Sequence, residues 1–368
     1  MLLLTTTRDA LLAPLQSVSG IVEKRHTLPI LSNVLIEKKA DTLTLLATDI
    51  EIQIVTSSHG GEGAADTAIT VGARKLQDIL RALPEGTEVS LVLDDKRLTL
   101  KAGKSRFALQ TLPAADYPRM QFQDGEGIHF TLSQKAFRKQ LAQVAYAMAA
   151  QDIRYYLNGL LMIADGKVLR MVATDGHRLA LASTELEQEI VHTEVILPRK
   201  TVTELARQLA DTEDLVDITV VGNQARFRFG PIELITKLID GKFPDYERVV
   251  PTNNPKLIKV GRLPLLLSLQ RAAILTNEKF RGLRLVLSSG SLKVISSNAE
   301  QEEAQEELEV DYQGDALEIG FNVTYLLDVL NNTSEEEIEI HLNEAMSSAL
   351  FTLPGNEHFK AVVMPMRI

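Results

Sequence analysis

Residues 131–148, TLSQKAFRKQLAQVAYAM, set Phe137, Leu141, Val144 and Met148 at i, i+4, i+7 and i+11, the apolar stripe of a helix. The same stripe stands 126 positions earlier as Leu11, Leu15, Val18 and Val22, and 128 positions later, more weakly, as Leu265, Leu269, Ala272 and Thr276. A strand-like run precedes each copy, at residues 2–5, 128–132 and 257–260. Ser133 is placed to cap the middle helix, its hydroxyl accepting from a first-turn N–H. A chain of 368 residues repeating at this interval is read as three versions of one unit, 1–126, 127–246 and 247–368.

Other landmarks keep the offset. Ala173-Thr174-Asp175 answers Ala47-Thr48-Asp49, and Leu238, Phe243 and Pro244 answer Leu112, Tyr117 and Pro118. A second helix, with Leu76, Ile79 and Leu83 facing inward, is answered by residues 199–211 with Val202, Leu205 and Leu209, and in the third unit by 321–331. Pro14 should kink the first helix or delay its start. Alternating runs at 42–54, 88–93, 97–102 and 105–112 read as strands, the last three as a meander around Asp94-Asp95. Residues 337–342 and 349–353 read as strands of the third unit, and the acidic run 300–309 as a solvated face. The apolar tail 362–368 should finish a strand or line a groove. Two helices with one apolar face each, plus several antiparallel strands, make each unit an α+β layer.

The formal net charge of −10 argues against a nucleic-acid binder if the charge is spread evenly. It is not. The six candidate helices carry +1 (8–25), +2 (73–82), +3 (133–150), +1 (199–211), +2 (262–276) and −1 (322–332), together +8, leaving −18 for the remainder. The sequence has no Cys, which removes thiol nucleophiles, disulfides and Cys-based zinc sites and fits a reducing compartment. The opening Met1-Leu2-Leu3-Leu4 lacks the basic region of a signal peptide, and no run reaches the roughly 18 apolar residues of a membrane span, so a cytoplasmic location is expected.

Asp175, His177 and a serine could be assembled into a hydrolase triad, and His177 invites a metal site. Neither has a motif behind it. There is no Gly-x-Ser-x-Gly elbow, no His-Glu-x-x-His and no Walker Gly-x-x-x-x-Gly-Lys-Ser/Thr, and the Gly-rich stretch HGGEGAAD (59–66) does not run into a Gly-Lys-Ser/Thr. A non-catalytic repeat protein, either a peptide-binding scaffold or a DNA binder, is the better reading, and only the basic helices separate the two.

Eight strings, spread in order over the whole chain, resemble one family. They are TLPILSN (27–33), LPAAD (112–116), QDIRYYLNG (151–159), TDGHRLA (174–180), DGKFPDY (240–246), NEKFRG (277–282), GFNVTY (320–325) and VMPMR (363–367). The sequence is similar to the bacterial sliding clamp, the β subunit of DNA polymerase III. The resemblance implies a DNA clamp fold of three repeated domains, closed by a head-to-tail homodimer into a six-domain ring around double-stranded DNA. It implies a processivity factor with no catalysis, no cofactor and no metal. Partners would be the polymerase III catalytic subunit, the clamp loader, other polymerases and repair proteins, held through short peptides, with no role for a membrane.

By that resemblance Arg25, Arg74, Gln151, Tyr155, Tyr156, Arg199 and Lys200 face DNA. Phosphate contacts of this kind carry no direct sequence information, as sliding requires. The peptide groove would comprise Leu157, Thr174, Gly176, His177, Arg178, Leu179, Pro244, Arg248, Val249, Phe280, Asn322, Tyr325, Met346, Ser348, Val362, Val363, Met364, Pro365, Met366, Arg367 and Ile368. Met346 and Ile368 depart from the family's smaller aliphatic and Leu but keep the lining apolar. The dimer contact would pair Phe107 and Leu109 with Ile274 and Leu275 of the second copy.

Overall fold

The computed structural model describes residues 1–23, 28–59, 61–63, 66–94 and 96–368. Among them run six α-helices: α1 (Arg8–Ser19), α2 (Ala73–Ala82), α3 (Gln134–Ala145), α4 (Arg199–Gln208), α5 (Arg262–Ala273) and α6 (Val323–Asn331). The repeated stripe is the core. Leu11, Leu15, Val18, Phe137, Leu141, Val144, Leu269 and Ala272 are all fully buried. Thr276, the polar member of the weaker copy, is buried too, its hydroxyl donating to the Ala273 carbonyl at 2.8 Å. That bond offsets the desolvation of a hydroxyl at an apolar position.

Local details differ from expectation at two places. Helix α1 begins at Arg8 in spite of Pro14, which sits buried in its interior, and Thr7 caps it by accepting from the Ala10 N–H. The proline removes one intrahelical bond, and burial of its ring on the core face compensates. In α2 the inward residues are Ala73, Leu76 and Leu80, not Ile79 and Leu83, because the helix ends at Ala82 and Leu83 is already extended.

Two compact units are present. The first comprises Met1–Lys135 and Thr203–Leu238; the second comprises Ala136–Val202 and Ile239–Ile368. Neither coincides with one repeat, because strands of successive repeats share ladders. In the first unit a twelve-stranded antiparallel sheet joins Ile52–His59 to Ile232–Lys237, with Ile54 opposite Leu234. In the second unit a six-stranded sheet joins Arg178–Pro198 to Asn356–Val363, with Leu179 opposite Val362. A separate four-stranded sheet there has the acidic strand Glu303–Glu309 at its edge, alternately exposed and half-buried, as a solvated face requires.

Candidate partner groove and basic helix faces

Thr174-Asp175-Gly176-His177-Arg178 forms a tight turn between the strands Gly159–Thr174 and Arg178–Pro198. Asp175 Oδ1 accepts the N–H groups of His177 (2.9 Å) and Arg178 (3.1 Å), and the Thr174 hydroxyl donates to the Arg178 carbonyl at 2.6 Å. Gly176 occupies the left-handed position, φ +90°. Thr48-Asp49-Ile50-Glu51-Ile52 builds the same turn in the first repeat, with Asp49 Oδ1 accepting from Glu51 (3.0 Å) and Ile52 (2.9 Å) and Ile50 at φ +72°. Asp175 is thus committed to shaping backbone in a repeated turn, which answers the triad reading of the Thr-Asp-Gly-His string.

One side of this turn opens a cavity of about 170 Å³. Its lining brings together Leu157, Thr174, Gly176, Arg178, Leu179, Pro244, Val249, Val362 and Met364 from the expected groove. Leu157, Leu179 and Val362 are buried members of the local core and also the cavity floor, so the core and groove readings of these residues describe one surface. Arg154 and Tyr246 line it as well and were not singled out from the sequence. The Arg154 guanidinium grips Asp152 in a two-point pair, at 3.0 and 2.8 Å. That hydrogen bonding holds the Asp152 carboxyl down to about 2. Arg170 Nη1 donates to the Tyr246 hydroxyl at 3.1 Å. Both signals lay in the quoted strings 151–159 and 240–246, but nothing in either string marks a wall residue.

Arg178 is the hub of the turn, with only 11% of its side chain exposed. It donates to Asp175 Oδ2 at 3.1 Å, to the Tyr146 carbonyl at 2.6 Å and to Asp328 of α6, and its guanidinium lies 4.6 Å from the Tyr325 ring centre. Burial pushes the Tyr146 hydroxyl, which has no hydrogen-bond partner, far above a phenol's usual range. The C-terminal residues follow from the strand Asn356–Val363: the Met364 N–H donates to the His177 carbonyl and the Met366 N–H to the Gly320 carbonyl, each at 2.9 Å. The tail therefore finishes a strand and runs on as a groove wall. Ile368 and Met366 lie over Gly320 and Gly282, where any added Cβ would meet them.

The remaining expected groove residues lie outside that cavity. Asn322 caps α6 by accepting from the Thr324 N–H at 2.9 Å, and the Ser348 carbonyl accepts from Asn254 at 2.9 Å. Arg248 is exposed beside Asp245, 2.8 Å away. Phe280, Met346 and Ile368 are exposed large apolar side chains, whereas Val363 is buried. Pro365 is half-buried and Arg367 exposed on the tail.

Of the expected DNA-facing residues, Arg25 lies outside the described residues. Arg74 and Arg81 stand on the exposed face of α2, along a cleft of about 490 Å³ that Gln16, Gln77, Glu204 and Arg207 also line. Arg74 Nη2 donates to the Val22 carbonyl at 3.0 Å. Arg207 is already committed: it pairs with the buried Glu204 carboxylate at 2.5 Å and donates to the Ser17 carbonyl at 3.3 Å, closing the C-terminal end of α1. Formal charge on α4 thus overstates what it presents to solvent. Arg199 donates to the Met148 carbonyl at 2.8 Å, and Lys200 next to it is half-buried. Tyr155 is exposed and Tyr156 half-buried against the core, their rings edge-to-face at 5.8 Å; Gln151 is exposed with φ +57°.

Phe107 and Leu109 are half-buried on the strand Ser105–Pro113. Residues 105–110 of that strand pair with Arg97–Ala102 on one side, whereas the partner on the other side, Asp66–Gly72, reaches only residues 111–113. Ile274, 77% exposed, and the half-buried Leu275 follow the end of α5.

A threefold α+β repeat with shared ladders, a preformed apolar cavity and cation-bearing helices defines a clamp-type binding protein. Family models of the DNA polymerase III beta subunit match the chain at residues 2–121 (N-terminal domain), 131–245 (central domain) and 247–367 (C-terminal domain). The chain belongs to that family, the beta sliding clamps. It is similar to the beta sliding clamps of Pseudomonas putida (48% identity, 99% of each chain) and Escherichia coli (44%, 99% of each). Among solved structures it resembles the sliding clamp from Pseudomonas aeruginosa bound to griselimycin, with TM-score 0.93, 45% identity and 100% of both chains covered. A clamp from Caulobacter crescentus gives TM-score 0.93 at 38% identity, over 100% of this chain and 99% of that one. The three-domain clamp fold is therefore this chain's fold, and its role is that of a non-catalytic processivity subunit of DNA polymerase III in DNA replication.

Proposed function

We propose that two copies join head to tail into a ring of six domains, bounded in each chain at 1–126, 127–246 and 247–368, that encircles duplex DNA and slides on it. Arg74, Arg199, Lys200, Gln151, Tyr155, Tyr156 and Arg25 meet phosphates and sugars, giving electrostatic hold without sequence readout. The acidic remainder of the surface keeps DNA off every other face. The cavity floored by Leu157, Leu179 and Val362 takes apolar anchors of short peptides. Through it the clamp loader, the polymerase III catalytic subunit, other polymerases and repair proteins dock in turn, in the cytoplasm where the chromosome lies. Phe107 and Leu109 of one copy, beside the partly unpaired edge of Ser105–Pro113, meet Ile274 and Leu275 of the other.

The observation that carries the docking part of this reading is the built cavity, an apolar floor from core residues with the exposed Val249 and Met364 at its mouth, and the DNA-holding part rests on the exposed cations Arg74 and Arg81 of α2. Loading onto nicked circular plasmid tests the ring. Protein loaded by its clamp loader should stay with the circle through gel filtration and run off once the plasmid is cut. Equal retention on circle and linear DNA would overturn the encircling mode.

A further inference from the structure

A second cavity, about 320 Å³, adjoins the first, with Tyr246 lining both. The ladder register explains the continuity. Leu179 lies opposite Thr174 and Val362, and two residues further along the same sheet face Leu181 lies opposite Val172 and Lys360. The next rung places Arg170 opposite Ser183. Side chains alternate faces with a period of two, so the floor of the apolar cavity runs directly into Leu181, Lys360, Arg170 and Ser183.

The chemistry changes along that floor. Arg170 and Lys360 are half-buried, and among the described residues neither has a carboxylate within ion-pair distance; the one side-chain partner of Arg170 is the Tyr246 hydroxyl. Two carboxylates, Glu247 and Glu357, stand at the same cavity but are exposed. Two cations on a partly desolvated floor attract an incoming carboxylate more strongly than the solvated rim acids repel it, because screening by water weakens the exposed pair most.

We propose that the partner groove continues past Tyr246 into this second pocket, which receives an acidic side chain of the docked peptide on Arg170 and Lys360. The proposal rests on the groove reading above and adds a charge preference to it. Apolar anchors fill the first pocket and supply most of the affinity, and the acidic residue fixes which way the peptide lies.

The test uses fluorescein-labelled ten-residue peptides containing adjacent Leu-Phe anchors, with Asp placed one to three positions to either side, and the same peptides with Asn. Binding to the full chain is read by fluorescence anisotropy at 50 and 300 mM salt. At least one Asp position should bind about 5- to 10-fold tighter than its Asn counterpart at low salt, and the advantage should shrink at high salt. Lys360→Gln should cut the advantage at least twofold and leave the Asn peptide unchanged; adding Arg170→Gln should erase it, with any loss from the freed Tyr246 wall falling on the Asp and Asn peptides alike. An Asp advantage that survives the double variant, or its absence at every position in the wild type, overturns the extension. Val249→Asp separates the two readings, since it should weaken every peptide. If no peptide binds, or if binding ignores that change, the groove reading falls and the extension with it.

Discussion

Replacing Arg178 by Ala should unfold the second compact unit early. The guanidinium bridges the turn that carries Asp175, the chain after α3 through the Tyr146 carbonyl, and α6 through Asp328, and it stacks on Tyr325. Truncation leaves the Asp175 and Asp328 side chains, 17% and 31% exposed, without their cation. Removing one partner of a fully buried pair costs about 3–5 kcal/mol. Partial exposure of the two acids moves this case to the lower end, and the lost ring contact adds back up to about 1 kcal/mol. A net loss of about 3 kcal/mol lowers the midpoint of a unit this size by roughly 6–12 °C. Scanning calorimetry of wild type, Arg178→Ala, Asp328→Ala and the double variant gives the answer. The two single changes should be non-additive by about 1–3 kcal/mol, because each removes the same bond. A midpoint within 2 °C of wild type, on a scale of roughly 2–4 °C per kcal/mol, or strict additivity, would refute the hub.

Other outcomes can be checked directly. Ile274→Ala with Leu275→Ala should convert the pair to monomers in sedimentation velocity; an unchanged dimer would place the contact elsewhere. Gly320→Val would drive a side chain into the Met366 carbonyl, which lies 2.5 Å from where a Cβ would stand, and into Ile368. Lifting the tail should weaken peptide binding about tenfold, or about 1.4 kcal/mol, with the melting midpoint little changed. Gly20→Ala would press a methyl within 2.5 Å of both Glu204 oxygens and of Arg207 Nη2. These are the far ends of flexible side chains that can swing aside, so stability in urea titration should change by less than about 1 kcal/mol, alanine's better helix propensity offsetting part of the loosened ion pair. Burial holds the His341 imidazole below its ordinary 6.5, with Glu339 opposing weakly. Below pH 6.5 the unfolded chain takes up that proton first, so this contribution is complete above 6.5 and declines as pH falls. His341→Gln should therefore lose less stability than wild type between pH 7 and 5.5 in matched urea titrations.

Much of the fold could be read from spacing alone. The stripe of Phe137, Leu141 and Val144 recurs because three helices bury the same face, and periodicity reports burial directly. Thr276 fits that stripe only through a hydroxyl bond to Ala273, which apolar spacing does not encode. The α2 face shifted from Ile79 to Leu80 because the helix stops one residue before Leu83, and end positions depend on caps more than on pattern. Pairing of Ile52–His59 with Ile232–Lys237 left no trace in the sequence, since register between distant strands has no local period. In the site, resemblance brought forward Leu157, Leu179 and Val362, whereas Tyr246 is set as a wall by core packing and its bond from Arg170, and Arg154 by its pair with Asp152, neither of which has a sequence signature.

The shared ladders limit how the chain can be dissected. An isolated third repeat would keep Asn356–Val363 but lose Arg178–Pro198, leaving the main-chain donors and acceptors of residues 359–363 bare on that edge. A first repeat on its own would bare Ile52–His59 in the same way. Such fragments are templates for one another, so they should pair edge to edge and precipitate. Shuffling single repeats between relatives is opposed at these seams by hydrogen bonding, however well each hydrophobic interior is matched.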